Sequence, residues 1–404
     1  MTAVFLPSRP SGTVEAPPSK SMAHRALIAA ALANEQSVVD HLDMSDDIRA
    51  TIDCLRALGA EITFSGDSCI VDGHGLFPAK GGAVLPCRES ASTLRFLIPL
   101  MLTTGKDISF TGSARLFSRP LGIYAEICRE QGLLFQLDNN QLKVRGRLKP
   151  GKYVVPGNVS SQFISGLCFA LPGLDGDSEV EIIPPVESAP YLEMTLQMLA
   201  RCGTRIRRED NRLLIPGRQR FSPFSYTVEG DWTNAAYLEA LGCESGDVRV
   251  TGLEHSSVQG DRIYPALFDA LCKDAPVIDL ANCPDLGPVL FALAAFWHGG
   301  VFTGIRRLRM KESDRIAAMA EELTRFGARL KIGTDTVTVL PAPLHAPDGI
   351  LWGHGDHRVV MALSVPASVL GGTIRGAEAV NKSFPGYFDV LRELGVKCAT
   401  VDET

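Results

Sequence analysis

An internal repeat constrains the fold of this chain more than any other feature. Five segments carry one motif, a helix end followed by glycine and then a short strand: Leu55–Gly59, Ile127–Gly132, Leu199–Gly203, Leu323–Gly327 and Leu391–Gly395. Glycine suits the left-handed position just past a helix C-terminus. Most of these segments lead into alternating strands joined by a polar turn, as in Arg205–Arg208, Glu209–Asn211 and Arg212–Ile215. Gly59 to Gly132 is 73 residues, Gly132 to Gly203 is 71 and Gly327 to Gly395 is 68. The 124 residues from Gly203 to Gly327 leave room for one shortened copy ending near Lys273-Asp274. The chain therefore reads as six units of helix, strand, turn and strand.

A second set of positions keeps the same period at helix starts: Ser21, Ser92, Ser161, Thr233, Asp285 and Asp356. Each puts a polar or capping residue before an apolar helical run. Under rotational symmetry within each half, equivalent helices run parallel and their N-termini gather at one end of each domain. Their dipoles and free N–H groups would then face an interdomain cleft suited to anions.

With 404 residues the chain exceeds the size of one typical core, so two domains are expected. A net charge of −6 and a pI of 5.8 argue against a nucleic-acid or membrane-surface partner, so an anion site must be local. The ten cysteines form no C-x-x-C pair and no zinc spacing, and several lie in apolar runs, which fits reduced core thiols in a cytosolic protein. No secretory signal is visible at Met1–Pro10. The apolar run Leu286–Trp297 contains Gly287 and Pro288, is too short for a membrane span, and reads as a buried helix.

Cations recur at the repeat positions. Lys20 stands at the tip of an alanine-rich helix, with Ser21 and Arg25 four apart on one face, an arrangement that offers a phosphate the dipole, a hydroxyl and a guanidinium fork. Glu89-Ser90-Ala91-Ser92-Thr93-Leu94-Arg95 opens another helix with small residues, and Arg95 falls on its buried side as a structural partner. Neither the Walker pattern nor G-x-G-x-x-G occurs. Arg119 precedes Pro120, which suits a first helical position. Asp285, in Pro284-Asp285-Leu286-Gly287-Pro288, is a carboxylate at a helix start, kept ionised and able to act as a base. Lys311-Glu312-Ser313-Asp314-Arg315 sets an acid between two cations on a segment that reads as helical, so an anion held by Lys311 and Arg315 would meet a proton donor in Glu312. Arg358 and Lys382 add cations near turns, His24 and His357 buttress their neighbours, and the other histidines have no metal spacing.

Taken together the motifs resemble the 5-enolpyruvylshikimate-3-phosphate synthase family from Pro18 to Phe388. The matching residues are Ser19-Lys20-Ser21 with Arg25, Ser92-Thr93-Leu94-Arg95, Arg115 with Arg119-Pro120, Ser160-Ser161-Gln162, Asp231, Pro284-Asp285, Lys311–Arg315, Asp356-His357-Arg358 and Lys382-Ser383-Phe384-Pro385. The resemblance implies a two-domain inside-out α/β barrel of six repeated units, three per domain. One domain would comprise residues 1–18 and 230–404, the other residues 19–229, with the active site in the cleft between them. It implies transfer of the enolpyruvyl group of phosphoenolpyruvate to the 5-hydroxyl of shikimate 3-phosphate, without metal or cofactor, in a cytoplasmic monomer on the route to the aromatic amino acids.

By motif, Lys20, Ser21, Arg25, Ser160, Ser161, Gln162, Ser188, Asp285 and Lys311 would hold shikimate 3-phosphate. Lys20, Ala91, Arg119, Gln162, Arg315, Arg358 and Lys382 would surround phosphoenolpyruvate. Asp285 would take the hydroxyl proton and Glu312 would protonate the methylene carbon, with Lys20 touching both substrates. Ala91 replaces a glycine common in the family, which implies reduced sensitivity to the inhibitor glyphosate. Arg307 falls near a position commonly asparagine and stays outside the expected site, and Asp314 is expected to be structural. The alternative is the sister transferase acting on UDP-N-acetylglucosamine, disfavoured because Arg115–Pro120 contains no cysteine. A non-catalytic relative that binds phospho-ligands or RNA ends is disfavoured by overall acidity and by the pair Asp285 and Glu312.

Overall fold

The computed structural model describes residues 1–66, 68–74, 82–138 and 140–402. The chain forms two compact units, Met1–Pro17 with Glu229–Thr404, and Pro18–Val228. Among the described residues each unit contains three sheets.

Five sheets are four-stranded and share one pattern, a parallel pair extended by two antiparallel strands. In the sheet built on Ala83–Arg88, that strand pairs in parallel with Ile108–Gly112, which pairs antiparallel with Gln141–Arg145, and Leu134–Asp138 forms the edge. The helix Ala91–Met101 connects the parallel pair, as a parallel pairing requires. All five repeat glycines, Gly59, Gly132, Gly203, Gly327 and Gly395, have φ between 68° and 107°. Each is the left-handed residue that stops a helix and turns the chain toward its hairpin.

The shortened copy is the two-stranded sheet, in which Ser11–Glu15 pairs in parallel with Asp247–Thr251. Its helix, Tyr264–Lys273, ends at the expected Lys273. Two pairings break the order of the chain. Thr2–Phe5 joins the last sheet between Gly372–Arg375 and Cys398–Val401, so the first strand completes the last unit. Ser225–Thr227 pairs with Ser37–Asp40, supplying the parallel neighbour that a strict repeat would have taken from Ser11–Glu15.

The central helices are almost wholly buried. Gly287–Phe296 hides all of its residues but Phe296, as expected for the apolar run, and Lys20–Leu32, Ala91–Met101, Ser161–Ala170 and His357–Leu370 are similarly enclosed. Capping oxygens start several of them: Ser90 accepts from Thr93 N–H, Ser160 from Gln162 N–H, Asp231 from Asn234 N–H and Asp356 from Arg358 N–H. Among the described residues no helix is long and apolar enough to cross a membrane. All ten cysteines are free thiols.

Candidate active site

The unit containing residues 229–404 holds one dense buried charge cluster centred on Arg315. Arg315 is 1% exposed, and its guanidinium binds three carboxylates. Nη1 donates to Asp285 Oδ1 at 2.6 Å, Nη2 to Glu312 Oε2 at 2.8 Å, and Nε to Asp356 Oδ2 at 2.9 Å. Lys311 Nζ lies 2.9 Å from the same Asp285 oxygen. Burial by itself would raise the pKa of Asp285, but Lys311, Arg315 and Arg358 hold it well below the usual carboxylate range. Burial lowers the proton affinity of Lys311, and the charges of Arg315 and Arg307 add to that effect.

The pentapeptide is not a helix. Lys311 follows the 3₁₀ segment Arg306–Met310, and the α-helix begins only at Arg315. Asp314 is its N-cap, accepting from Ile316 and Ala317 N–H, and also pairs with Arg309. A capping carboxylate competes with continuation of the helix toward its N-terminal side, so Lys311 and Arg315 do not share a helical face. They converge instead through Asp285, which stands in the one-turn 3₁₀ segment Pro284–Leu286 ahead of the helix Gly287–Phe296.

Arg358 Nη1 donates to Asn234 Oδ1 at 2.7 Å, and the guanidinium lies 5.3 Å from the ring centre of Tyr237, whose hydroxyl donates to the Asp285 carbonyl. Lys382 Nζ donates to Gly355 O at 3.0 Å. Asp261 has no precedent in the sequence reading. It is 2% exposed, accepts from the Thr233 hydroxyl through Oδ2, and encloses Oδ1 without a partner. Burial and the nearby Asp285 push its pKa up to about 7.

The unit Pro18–Val228 carries the other expected residues. Lys20 opens the helix Lys20–Leu32 and pairs with Asp47 at 2.7 Å. Arg25 is fixed by Thr195 Oγ1, Ser21 O and Tyr191 O, and lies over the Phe96 ring. Ser188 begins the helix Ala189–Arg201 with a left-handed φ of 55°. Gln162 Nε2 donates to Ser92 Oγ at 2.9 Å, and its Oε1 accepts from Arg95, so the tips of Ser161–Ala170 and Ala91–Met101 are joined. Ser160 and Ser161 lie at the first of these tips and Ala91, 4% exposed, at the second.

Arg119 follows the short helix Ala114–Ser118, and the next helix begins at Gly122, two residues beyond Pro120. Pro120 does not occupy the first helical position: it precedes the N-cap Leu121, and its carbonyl accepts from Arg95. His24, buried and with its pKa lowered by burial and by Lys20 and Arg25, is neutral and bonds Thr51. The sequence reading missed Asp47, Thr195, Asn234 and Asp356 as partners of the expected cations, and Asp261 as the buried partner of Thr233. Only Asp356 carried a usable signal, since it lies two residues before Arg358 at a repeat position.

The fold is matched first, by the backbone. Two solved EPSP synthases from Acinetobacter baumannii superpose with TM-scores of 0.80 and 0.81 at 22% and 21% identity, covering 99–100% of this chain and 100% of theirs. The enolpyruvyl transferase NikO from Streptomyces tendae superposes at a TM-score of 0.80 with 17% identity, covering 100% of this chain and 99% of its own. The particular family follows from sequence. The family model described as EPSP synthase (3-phosphoshikimate 1-carboxyvinyltransferase) matches residues 6–391. A 3-phosphoshikimate 1-carboxyvinyltransferase of Clostridium perfringens is 36% identical over 97% of both chains, and one of Clostridium kluyveri is 37% identical over 96% of both. The chain belongs to the EPSP synthase family.

Proposed function

We propose that this chain is a 3-phosphoshikimate 1-carboxyvinyltransferase, moving the enolpyruvyl group of phosphoenolpyruvate to the 5-hydroxyl of shikimate 3-phosphate and releasing phosphate. It would act on the route to the aromatic amino acids. Family membership supports the reaction, and one observation carries the assignment of roles: Asp285 and Glu312, two acids with different tasks, are both held by Arg315.

Asp285 is the base. It is a poor one while Lys311 and Arg315 neutralise it. An anionic substrate that draws on those same cations weakens their hold on Asp285 and raises its proton affinity, so base strength follows substrate binding. Asp285 then accepts the 5-hydroxyl proton as that oxygen bonds to the central carbon of phosphoenolpyruvate. Glu312 delivers a proton to the methylene carbon. In the second half Glu312 takes a proton back from the resulting methyl group, the double bond re-forms and phosphate leaves with the C–O electron pair.

Arg315, Arg358, Lys382 and Arg119 serve the phosphoenolpyruvate anion, with Lys20, Gln162 and Ala91 beside it. Ser21, Arg25, Ser160, Ser161, Gln162, Ser188 and Lys311 serve shikimate 3-phosphate, again with Lys20. Fixed cations supply the charge neutralisation for this reaction. A cytoplasmic monomer suffices for this chemistry, and the absence of a cysteine from Arg115–Pro120 favours the shikimate substrate over UDP-N-acetylglucosamine. Phosphate release from phosphoenolpyruvate with shikimate 3-phosphate, and none with the sugar nucleotide, is the expected result; release with the sugar nucleotide alone overturns the reading.

A further inference from the structure

The helix Arg315–Arg325 touches the loop Gly353–Asp356 at two places. Arg315 and Glu322 are seven residues apart, two turns, and lie on one face of this helix. Arg315 binds Asp356, and the Glu322 carboxylate accepts from His354 Nε2 at 3.0 Å. Glu322 is 0% exposed, so its charge is tolerable only with partners. Arg325 Nε lies 3.2 Å from its other oxygen.

The loop between these clips is conformationally demanding. His354 has φ 51° and Gly355 φ 59°, consecutive left-handed residues, a conformation uncommon for any residue other than glycine. Asp356 N–H closes the turn onto Gly353 O at 2.9 Å. The loop's products are two contacts to the phosphoenolpyruvate cations, Gly355 O to Lys382 and the Asp356 carboxylate to Arg315.

We propose that Glu322 and His354 are positioning residues, a clip anchored on the buried Glu322 that holds the Gly353–Asp356 loop in its left-handed form and thereby sets Lys382 and Arg315 for phosphoenolpyruvate. The inference rests on the ligand roles given above to Lys382 and Arg315. Neither Glu322 nor His354 touches the reacting groups, so their loss acts on substrate affinity before turnover.

His354→Gly accepts the left-handed backbone yet lacks the imidazole, and His354→Gln keeps an N–H donor for Glu322. His354→Gly is expected to raise the KM for phosphoenolpyruvate about tenfold while leaving that for shikimate 3-phosphate unchanged. His354→Gln is expected to restore most of the loss. Combining His354→Gly with Lys382→Ala should give less than the product of the single effects, because the clip acts through Lys382. Independently of catalysis, His354→Gly should speed hydrogen exchange at the Asp356 amide. An unchanged phosphoenolpyruvate KM in His354→Gly, where Lys382→Ala raises it, overturns the proposal. An unchanged KM in Lys382→Ala instead strikes the ligand assignment, and the exchange rate then decides the clip: faster exchange upholds it and unchanged exchange refutes it.

Discussion

Arg315 grips Asp356 with two hydrogen bonds, Nε to Oδ2 at 2.9 Å and Nη2 to Oδ1 at 3.2 Å, and the side chain of Asp356 has no solvent exposure. The same carboxylate caps the helix His357–Leu370 and accepts from Ser313. A candidate substrate cation is therefore also the counter-charge of a structural acid. Arg315→Lys keeps the charge but loses the fork, so one ammonium replaces the guanidinium that bound Asp356, Glu312 and Asp285, while Asp285 retains another cation, Lys311. Breaking such a buried arrangement should cost about 3–5 kcal/mol, read by urea denaturation. The surviving folded enzyme should show a raised KM for phosphoenolpyruvate. Wild-type stability in Arg315→Lys would refute the structural half of this account.

The two acids are separable by isosteric change. Asp285→Asn and Glu312→Gln preserve volume and most hydrogen bonds, so substrate binding by calorimetry should largely survive. Turnover in each should fall by about 10²–10⁴, the usual worth of a positioned acid or base. Near-wild-type kcat in either variant would remove that residue from its role.

How much of this was legible in the sequence follows from the range of the interactions involved. The repeat glycines were readable because a helix stop is local: Gly327 N–H bonds Thr324 O and Ala328 N–H bonds Leu323 O, all within a few residues. The helix starts at Ser92, Ser161 and Asp356 were readable to within two residues for the same reason, the capping side chains being Ser90, Ser160 and Asp356. Three features were not. The insertion of Thr2–Phe5 into the last sheet pairs residues nearly a chain length apart, and no local pattern announces it. Lys311–Arg315 reads as helical by charge spacing, whereas Asp314 beside Ser313 is a cap signal and prevails because its oxygen satisfies two N–H groups at once. Asp261 had no signal at all, since its significance comes from Thr233 and Asp285 in space.

Ala91 tests a specificity argument. Its methyl group is buried in the first turn of Ala91–Met101, whose capping Ser90 and whose Ser92, bonded by Gln162, fix the backbone there. A rigid tip cannot retreat from an inhibitor longer than phosphoenolpyruvate, and overpacking of this kind costs about 1–3 kcal/mol. Ala91→Gly should thus bind glyphosate about ten- to a hundredfold more tightly with little change in the KM for phosphoenolpyruvate. Equal inhibition of the two proteins would sink the idea.

Asp261 predicts how stability depends on pH. Its ordinary pKa near 3.8 is raised to about 7 in the fold, first by burial and then by Asp285, with Arg358 and the Thr233 hydroxyl opposing and Asp231 adding to the rise. Between those two values the folded chain holds a proton that the unfolded chain has released, so this group's contribution to stability is complete below about pH 4 and is lost as pH rises toward about 7. Asp261→Asn has no charge to bury and keeps an amide that the Thr233 hydroxyl can bond. The difference in unfolding free energy between Asp261→Asn and the wild type should therefore move in favour of the variant as pH is raised from 5 to 8, measured by denaturant titration at each pH. Asp285 titrates below this window because Lys311, Arg315 and Arg358 hold it down, so it does not mask the trend. Parallel stability curves for the two proteins across that range would show that Asp261 is already ionised in the folded chain.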